Sequence, residues 1–380
     1  MLRAVKVAID AHMIGQRETG NETYVVNLLR ALASGWPDDD YQMLTPNVAD
    51  LVSRLELPST AGAVKVWPGW SPLRITLGIP AVAWRRRSDV LHMTTYVTPP
   101  LSTVPTVVTV HDVSYLVHPQ FLSRRVRTIL RTLVPISVRR SVRVIAVSEH
   151  TKKDLIRFYK TAADKIAVTP LAPGPAFVQM PQAARAQLPF GIVEPFVLAV
   201  GNLEPRKNLG RLLEAFLVVV RNGFQGQLVL AGKGAGAEGI TTWSRRNGLE
   251  GRIVLTGFVT EADLVLLYNR AKLFAYPSLY EGFGLPPIEA MACGCPVVAS
   301  NSSALPETLD SAALLVDPES VGALAEAMTA VLGQEALAAS LRQKGMERAG
   351  SLSWHKTAAL TRAVYVDAAK SRRAAPVFTA

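Results

Sequence analysis

Short apolar runs alternate with segments of helical periodicity twice along the chain, and this repetition constrains the fold more than any other feature. In the first half the runs are VKVAI (5–9), YQMLT (41–45), AVKVW (63–67), DVLHM (89–93), PTVVTV (105–110) and VRVIAVS (142–148). These runs are nearly continuous rather than alternating, which is typical of parallel strands buried on both faces. A helical pattern over 21–34, which we expect Asn21 to cap, lies between the first two.

A Pro- and Gly-rich stretch, residues 169–195, interrupts this rhythm and predicts a linker. The pattern then restarts with FVLAVG (196–201), GQLVLAG (226–232), RIVLTG (252–257), LFAYP (273–277), CPVVAS (295–300) and AALLVD (312–317). Two such arrays predict an α/β protein of two doubly wound, Rossmann-like domains facing one another. We place the first domain at 1–172 and the second at 173–353, followed by a helical segment, 354–380, with a basic end.

Composition narrows the class of protein. The chain has 380 residues, 49% of them hydrophobic and 19% charged, which is typical of a globular protein. Residues 1–180 hold 22 Lys and Arg against 13 Asp and Glu, so the excess of positive charge lies in the first half. No run predicts a membrane-spanning helix or a signal peptide. Only Cys293 and Cys295 occur, which favours the reducing cytosol and does not make a zinc site.

The stretch FVLAVGNLEPRKNLGRLLEAF (196–216) indicates a strand, a loop and a helix. Gly201 lies at the strand exit, and Arg206 and Lys207 precede a helix opened by Asn208. Two cations beside a helix N-terminus form an anion site, because the free N–H groups and the helix dipole add to their charge. A solvated basic pair is the alternative interpretation.

The stretch SLYEGFGLPPIEAMACGCPVVAS (278–300) places two glutamates around a Gly-rich turn. Glu281 is expected in the loop, and Glu289 in the first turn of a helix of about eight residues that Gly294 ends. Each glutamate alone is explained by solvation or by the helix dipole. Together around one helix entrance, they favour a polyhydroxylated ligand whose phosphates face the helix, such as a nucleotide sugar.

The run PTVVTVHDVSYLVHPQF (105–121) ends a strand with His111 and Asp112. A polar pair at the carboxyl end of a strand is a candidate site in an α/β domain. A structural role for His111 is the alternative.

These three stretches, with TGNETYVVNLL near the start and SLSWHKTA near the end, resemble the family-4 retaining glycosyltransferases of the GT-B fold, over nearly the whole chain. The resemblance implies transfer of a sugar from a nucleotide diphosphate sugar with retention of anomeric configuration. It also implies an interdomain cleft and a C-terminal helix that crosses back onto the first domain.

The resemblance also implies roles for single residues. Arg206 and Lys207 would hold the diphosphate, Glu289 the ribose hydroxyls, and Glu281 the hydroxyls of the donor sugar. His111 would face that sugar across the cleft. The remaining donor contacts would be made by backbone, at Gly20 in an N-terminal loop, at Gly201, and at Phe283, Gly284 and Leu285. Relatives often carry more glycines around Gly20, and Pro286 removes one N–H group from the helix entrance.

No side chain stands out as a covalent nucleophile, so we expect front-face transfer in which the leaving phosphate helps to deprotonate the acceptor. We expect no cofactor and no metal, because cations hold the diphosphate. Asp38, Asp39 and Asp40 match the DxD metal motif of a different glycosyltransferase fold, but they precede a strand and are expected to form a solvated turn.

Two arginine clusters remain, at 123–144 and at 84–89. A helix with a charged outer face explains the first, whereas attachment to an anionic membrane surface or a lipid-linked acceptor is the functional interpretation. Pro135 is expected to break this helix. Nucleic acid is not expected as a partner, because no aromatic residues are interleaved with the basic runs.

The sequence therefore predicts a hexosyltransferase, mannosyl or glucosyl, with a glycan or lipid-linked acceptor, in the cytoplasm or at the inner face of the membrane. A nucleotide-sugar epimerase of the same architecture and a non-catalytic nucleotide-sugar-binding protein remain alternatives. The donor base, the acceptor and the oligomeric state cannot be read from the residues.

Overall fold

The computed structural model describes residues 4–374, apart from 16–18, 56–61, 70, 101, 182–186 and 235. The chain forms two compact units. Unit 1 comprises the residues up to Leu171 together with those from Ser353 onward, and unit 2 comprises Ala172–Leu352. The change of unit after Leu171 falls inside the stretch predicted as a linker.

Unit 1 is built on seven strands and the helices between them. The strands are β1 Lys6–Asp10, β2 Asp40–Thr45, β3 Ala63–Lys65, β4 Val90–Met93, β5 Thr106–Val110, β6 Arg143–Ala146 and β7 Ile166–Val168. The helices are α1 Thr19–Gly35, α2 Val48–Leu55, α3 Ser71–Leu73, α4 Ile79–Arg85, α5 Ser114–Val117, α6 Arg124–Arg140 and α7 Glu149–Tyr159. A π-helical turn, Arg74–Gly78, joins α3 to α4.

Unit 2 repeats the plan with six strands. They are β8 Phe196–Val200, β9 Gln227–Ala231, β10 Ile253–Gly257, β11 Leu273–Tyr276, β12 Val297–Ser300 and β13 Leu314–Val316. The helices are α8 Leu209–Arg221, α9 Ala237–Arg246, α10 Glu261–Arg270, α11 Leu285–Ala292, α12 Leu305–Leu309, α13 Val321–Gly333 and α14 Glu335–Ser351. The last helix, α15 Trp354–Ala374, returns the chain to unit 1.

Both sheets are parallel and doubly wound, which confirms the predicted fold class. The strand order is β3-β2-β1-β4-β5-β6-β7 in unit 1 and β10-β9-β8-β11-β12-β13 in unit 2. The order reverses between β1 and β4 in the first sheet and between β8 and β11 in the second. In open parallel sheets, ligands bind beyond the carboxyl ends of the strands at such reversals, so these two edges define where a site is expected.

The predicted strands are confirmed within one or two residues at each end. The sequence analysis missed β7, a strand of three residues that directly precedes the Pro- and Gly-rich stretch. It also placed the start of α1 too late. The helix begins at Thr19, so Asn21 lies within it and is not its cap.

α15 is fixed to unit 1 by a buried ion pair. Arg362 Nε and Nη2 donate to the two carboxylate oxygens of Asp39 at 2.6 and 3.1 Å, and the two side chains are only 8% and 2% exposed. Asp39 also accepts from the Val5 N–H group and the Tyr41 hydroxyl, both at 2.9 Å. The prediction of a solvated turn at 38–40 was therefore wrong for Asp39, because its partner comes from a helix more than 300 residues later.

Helix α6 differs from the prediction in two respects. Pro135 lies inside an unbroken helix, with the Ser137 hydroxyl donating to the Leu133 carbonyl at 2.9 Å beside it. The outer surface is not purely charged either. An apolar stripe at spacing i, i+3, i+7, i+10 is between 38% and 44% exposed, and it comprises Val126, Ile129, Leu133 and Ile136.

We predict that Arg362→Met destabilises unit 1 strongly, because it leaves the Asp39 carboxylate buried without its cation. Breaking such a pair costs about 3–5 kcal/mol. Thermal unfolding measures the loss, and hydrogen exchange should locate it in α15.

The matched control is Arg143→Met. Arg143 also pairs with a residue of α15, Asp367, but the two side chains are 33% and 41% exposed. Such a pair contributes at most about 1 kcal/mol. Equal effects of the two substitutions would contradict the assignment of the anchoring role to the buried pair.

Candidate functional site

The polar side chains of unit 2 meet where the strand order reverses. β8 leads through Gly201 into a 3₁₀ turn, Pro205–Lys207, and β11 leads into the loop that holds Glu281. The two loops are joined directly, since the Leu279 N–H group donates to the Arg206 carbonyl at 2.9 Å. The predicted anion site and the predicted Gly-rich turn are therefore adjacent in space.

Glu281 binds both predicted cations. Its Oε1 accepts from Lys207 Nζ at 2.7 Å, and its Oε2 lies 2.8 Å from Arg206 Nη1. Oε1 also accepts from the hydroxyls of Tyr276 at 2.9 Å and Ser278 at 2.5 Å. Arg206, Lys207 and Glu281, which we call the charge triad, hold one positive charge in excess. The alternative of a solvated basic pair was wrong for Arg206 and Lys207.

The charge triad shifts the ionisation of its members. Burial alone would raise the pKa of Glu281, but the charges of Arg206 and Lys207 lower it to about 2. Burial lowers the pKa of the Lys207 ammonium, and Glu281 opposes that change. The Lys207 ammonium also lies 4.7 Å from the centre of the Tyr276 ring, a favourable cation–π distance. The carboxylate therefore stays ionised and holds both cations in place.

The loop of Arg206 and Lys207 is braced by close backbone packing. Gly201 has φ +141°, and a Cβ there would lie 2.9 Å from Lys207 Cε. A Cβ on Gly232 would lie 2.0 Å from the Gly201 carbonyl oxygen, so only glycine fits at that position. Asn208 precedes α8, as predicted, but it does not cap the helix backbone. Its side-chain NH₂ group donates to the carbonyls of Pro277 and Pro318 at 3.0 and 2.7 Å.

The entrance of α11 is formed by Gly284, which has φ +97° and a Cβ position only 2.6 Å from Leu305. Phe283 and Leu285, on either side of it, are 6% and 9% exposed, so these residues can offer a ligand backbone groups more readily than side chains. Pro286 and Pro287 follow, and neither carries an N–H group. The helix entrance therefore supplies fewer backbone donors than an ordinary helix does.

Glu289 lies in the second turn of α11, not in the first as predicted, because the helix already begins at Leu285. It is 7% exposed, and the Tyr268 hydroxyl donates to its Oε2 at 3.4 Å. Burial raises the pKa of Glu289 to about 8. The two glutamates of the motif thus shift in opposite directions: cations lower the pKa of Glu281, and burial raises the pKa of Glu289.

The unit 1 residues lie at the corresponding edge of the first sheet. His111 follows β5, and its Nε2 donates to the Thr94 carbonyl at 2.9 Å, which leaves Nδ1 as the unprotonated nitrogen of the neutral ring. Burial lowers the pKa of His111. Tyr24 meets the imidazole edge to face at 4.9 Å. The ring is therefore neutral and fixed in orientation.

Gly20 was predicted to lie in a loop, but it lies in the first turn of α1. A Cβ atom at this position would meet nothing within 4 Å. The glycine that the loop after β1 requires is Gly15, at φ +89°, whose N–H group donates to Glu22 at 2.9 Å. Part of the predicted loop, residues 16–18, lies outside the described residues.

The sequence analysis missed a pair of an acidic and a basic side chain in unit 1. Asp10 ends β1 at the reversal of strand order, is fully buried, and lies 2.8 Å from His12 Nδ1. The signal was present in the sequence, since AIDAH places both residues at the exit of the first strand. In the described part of the chain, no group of three or more His, Cys, Asp or Glu residues is arranged to hold a metal ion. Cys293 and Cys295 are free thiols, both buried.

Comparison with known proteins agrees with this geometry. The family model described as glycosyltransferase family 4 matches residues 19–172, and the one described as glycosyl transferases group 1 matches residues 182–348. The chain therefore belongs to the group 1, family-4 glycosyltransferases.

Two curated relatives from Escherichia coli are similar over part of their length. The O-antigen chain mannosyltransferase B is 33% identical over 65% of this chain and 66% of its own length. The serotype-specific mannosyltransferase WbdA is 31% identical over 57% of this chain but only 28% of its own length. The chain therefore spans less than two thirds of either relative.

A solved structure, Anabaena HepE in complex with UDP-glucose, matches 95% of this chain and 99% of its own, with a TM-score of 0.75 at 19% identity. This likeness shows the fold, which is GT-B.

We predict that Glu289 makes stability fall as pH rises. Its pKa is about 4.5 when unfolded and about 8 when folded, so between these values the folded state binds more protons and loses stability with increasing pH. Glu289→Gln removes this contribution. The unfolding temperature of the Glu289→Gln variant should therefore fall less between pH 5 and pH 8 than that of the wild type.

Glu281→Gln serves as the control. The pKa of Glu281 is depressed, so its contribution is already complete above pH 4.5 and lost only as pH falls towards 2. This variant should be less stable throughout but should keep the wild-type slope between pH 5 and pH 8. If the unfolding temperature of Glu289→Gln falls with pH as steeply as that of the wild type, folding does not raise the pKa of the Glu289 carboxyl group.

Proposed function

We propose that this chain is a retaining glycosyltransferase that moves a hexosyl unit from a nucleotide diphosphate sugar to a glycan or lipid-linked acceptor. The observation that carries the proposal is the charge triad, which presents two fixed cations and one excess positive charge where the strand order of unit 2 reverses. Departure of a nucleoside diphosphate develops negative charge, and fixed cations aimed at that charge lower the barrier.

Arg206 and Lys207 are proposed to bind the diphosphate. Lys207 reaches the site from a turn that is braced by Gly201 and Gly232, so little reorganisation is needed when the leaving group forms. Arg206 can bridge two oxygens, since its guanidinium presents several donors in one plane.

Glu281 is proposed to act first as the counter-ion that positions these cations. Its Oε1 already accepts three hydrogen bonds, from Lys207, Tyr276 and Ser278. Room for a sugar hydroxyl is therefore confined to Oε2, which accepts from Arg206. Contact with the donor sugar, as the family resemblance implies, would be made through that oxygen.

Glu289 is proposed to bind the ribose hydroxyls. Its raised pKa means that its carboxyl group is mostly protonated at pH 7 and can both donate to one hydroxyl and accept from another. The family resemblance assigns His111 to the donor sugar, and its neutral ring would offer an acceptor nitrogen, Nδ1. We assign no covalent nucleophile and propose front-face transfer, with a leaving phosphate oxygen accepting the acceptor's proton.

Mannose is the favoured sugar, because both curated relatives are named mannosyltransferases. GDP-mannose is accordingly our first choice of donor, and a UDP-hexose such as the ligand of HepE is the second. An epimerase of the same fold and a non-catalytic binding protein are the alternatives. The dependence of donor consumption on an acceptor distinguishes them, because only a transferase needs an acceptor to consume the donor rapidly.

We predict that one donor among GDP-, UDP-, ADP- and dTDP-sugars stabilises the protein and is slowly hydrolysed. A ligand at about 100 times its dissociation constant adds about 2.7 kcal/mol to the free energy of unfolding, which a thermal scan detects. With an acceptor supplied, the product should keep the anomeric configuration of the donor, as measured by NMR.

Lys207→Met should slow transfer by about 10²–10³, the usual effect of losing one strong donor to a developing anion. The matched control is Lys272→Met, which removes the same charge from an exposed side chain just before β11, at the opposite end of that strand. Equal rates in the two variants would contradict the proposed role of Lys207, and Glu289→Ala should abolish donor-induced stabilisation.

We further propose that α6 attaches unit 1 to an anionic membrane surface. Its exposed apolar stripe lies on a helix with six arginines, which are Arg124, Arg125, Arg127, Arg131, Arg139 and Arg140. A helix of this kind binds in the plane of an interface through apolar burial and attraction to anionic lipids. None of the described helices is long and apolar enough to cross a bilayer.

We predict that Ile129→Ser combined with Leu133→Ser reduces sedimentation with phosphatidylglycerol vesicles at least tenfold, while the protein stays folded. The control is Val52→Ser, since Val52 is an exposed apolar residue of α2, 60% exposed. Wild-type protein should bind phosphatidylcholine vesicles weakly. Attachment through this helix would be contradicted if the wild type bound both kinds of vesicle equally. It would also be contradicted if the α6 variant bound phosphatidylglycerol vesicles as well as the wild type does.

A further inference from the structure

A cavity lined by positively charged side chains lies wholly within unit 1. It has a volume of about 740 Å³ and lies between the C-terminal half of α6 and the C-terminal end of α7. This volume is within the range of sites for small molecules. Its α6 lining residues, Arg131, Pro135, Val138 and Arg139, are spaced i, i+4, i+7, i+8 and occupy a different face from the apolar stripe.

Four cations line this cavity, which are Arg131, Arg139, Lys160 and Lys165. In the described part of the chain no carboxylate pairs with any of them. The nearby Arg143 is different, because Asp367 neutralises it. The Lys165 ammonium donates to the Arg139 carbonyl at 2.8 Å, which draws two of the four cationic residues together.

Compensation of helix dipoles does not account for this charge. The C-termini of α6 and α7 both end near the cavity, and each carries about −0.5 charge. Two such ends offset about one of the four positive charges. The remaining positive charge is not balanced by any described carboxylate, so the cavity has the electrostatics of an anion site.

The rest of the lining adds an apolar wall and a polar contact. Leu116, Pro135, Val138 and the rings of Phe158 and Tyr159 supply the apolar surface. Thr161 is 9% exposed, and its hydroxyl makes no hydrogen bond to the described residues. An anion with an adjoining apolar part would use both surfaces.

We propose that this cavity binds a phosphate or diphosphate group attached to an apolar chain. Phosphate oxygens suit the clustered guanidinium and ammonium groups, and the Thr161 hydroxyl can donate to one of them. The group belongs either to a soluble phosphorylated molecule or to the headgroup of a membrane lipid, and both present the same chemistry to the cavity.

The test is isothermal titration of the full chain with hexyl phosphate, with inorganic pyrophosphate and with hexanol, together with sedimentation on vesicles containing phosphatidic acid. The test variant is Arg131→Gln combined with Lys160→Gln. Both side chains are exposed, so the fold should persist. The matched control, Arg124→Gln combined with Arg125→Gln, removes two exposed cations of α6 that do not line the cavity.

We expect hexyl phosphate to bind at least tenfold more weakly to the test variant than to the wild type or the matched control, and hexanol not to bind. Lys207→Met should keep this binding, which separates the cavity from the charge triad and from the proposed transferase activity. If only the vesicles discriminate the test variant, the ligand is a lipid headgroup. Unchanged binding of every probe by the test variant, or equal binding of hexanol, would overturn the proposal.

Discussion

The bonds that the Glu281 carboxylate forms with Arg206 and Lys207 are the interaction on which the geometry of the polar site in unit 2 depends. Two cations this close, and this far from water, would repel each other and move apart without a shared counter-ion. The carboxylate keeps them together, and partial burial of the three side chains, which are 20%, 11% and 11% exposed, makes each contact stronger than it would be on the surface. An excess of one positive charge remains available to a ligand.

The parallel sheet explains why such distant residues meet. Arg206 and Lys207 follow β8, whereas Glu281 follows β11, and these two strands are neighbours only because the strand order reverses between them. The same construction in unit 1 places Asp10 at the end of β1, Thr94 after β4 and His111 after β5. The helix α15 completes unit 1 through the buried pair of Arg362 and Asp39. Each unit thus gathers its candidate site residues at the carboxyl edge of its sheet.

Much of this was accessible from the sequence. Nearly continuous apolar runs predicted parallel strands, and all but the three-residue β7 were located. Arg206, Lys207 and Glu281 were also identified as site residues, but their mutual contact was not, because no local pattern reports a pairing between two loops 74 residues apart. Helix starts were the weakest prediction. The first turn of α1 takes in Gly20, and α11 begins early enough to move Glu289 into its second turn.

Other errors have a common physical cause. Asp39 was expected to be solvated and Pro135 to break its helix, since both expectations follow from local propensity. In each case tertiary context decides the outcome: Arg362 arrives from the far end of the chain, and α6 continues through Pro135 with Val134 and Val138 buried on either side of it. The apolar stripe of α6 and the cationic cavity beside it could not be read from the sequence, because exposure is a property of the folded unit.

The most direct test of the central claim is a crystal structure with a nucleoside diphosphate bound. We predict that phosphate oxygens lie within about 3 Å of Arg206 Nη and Lys207 Nζ, as in other charge-assisted hydrogen bonds. Glu281 should still be bonded to Tyr276 and Ser278, with the charge triad otherwise unchanged. Phosphates bound elsewhere in unit 2, with both cations still satisfied by Glu281 alone, would contradict this prediction.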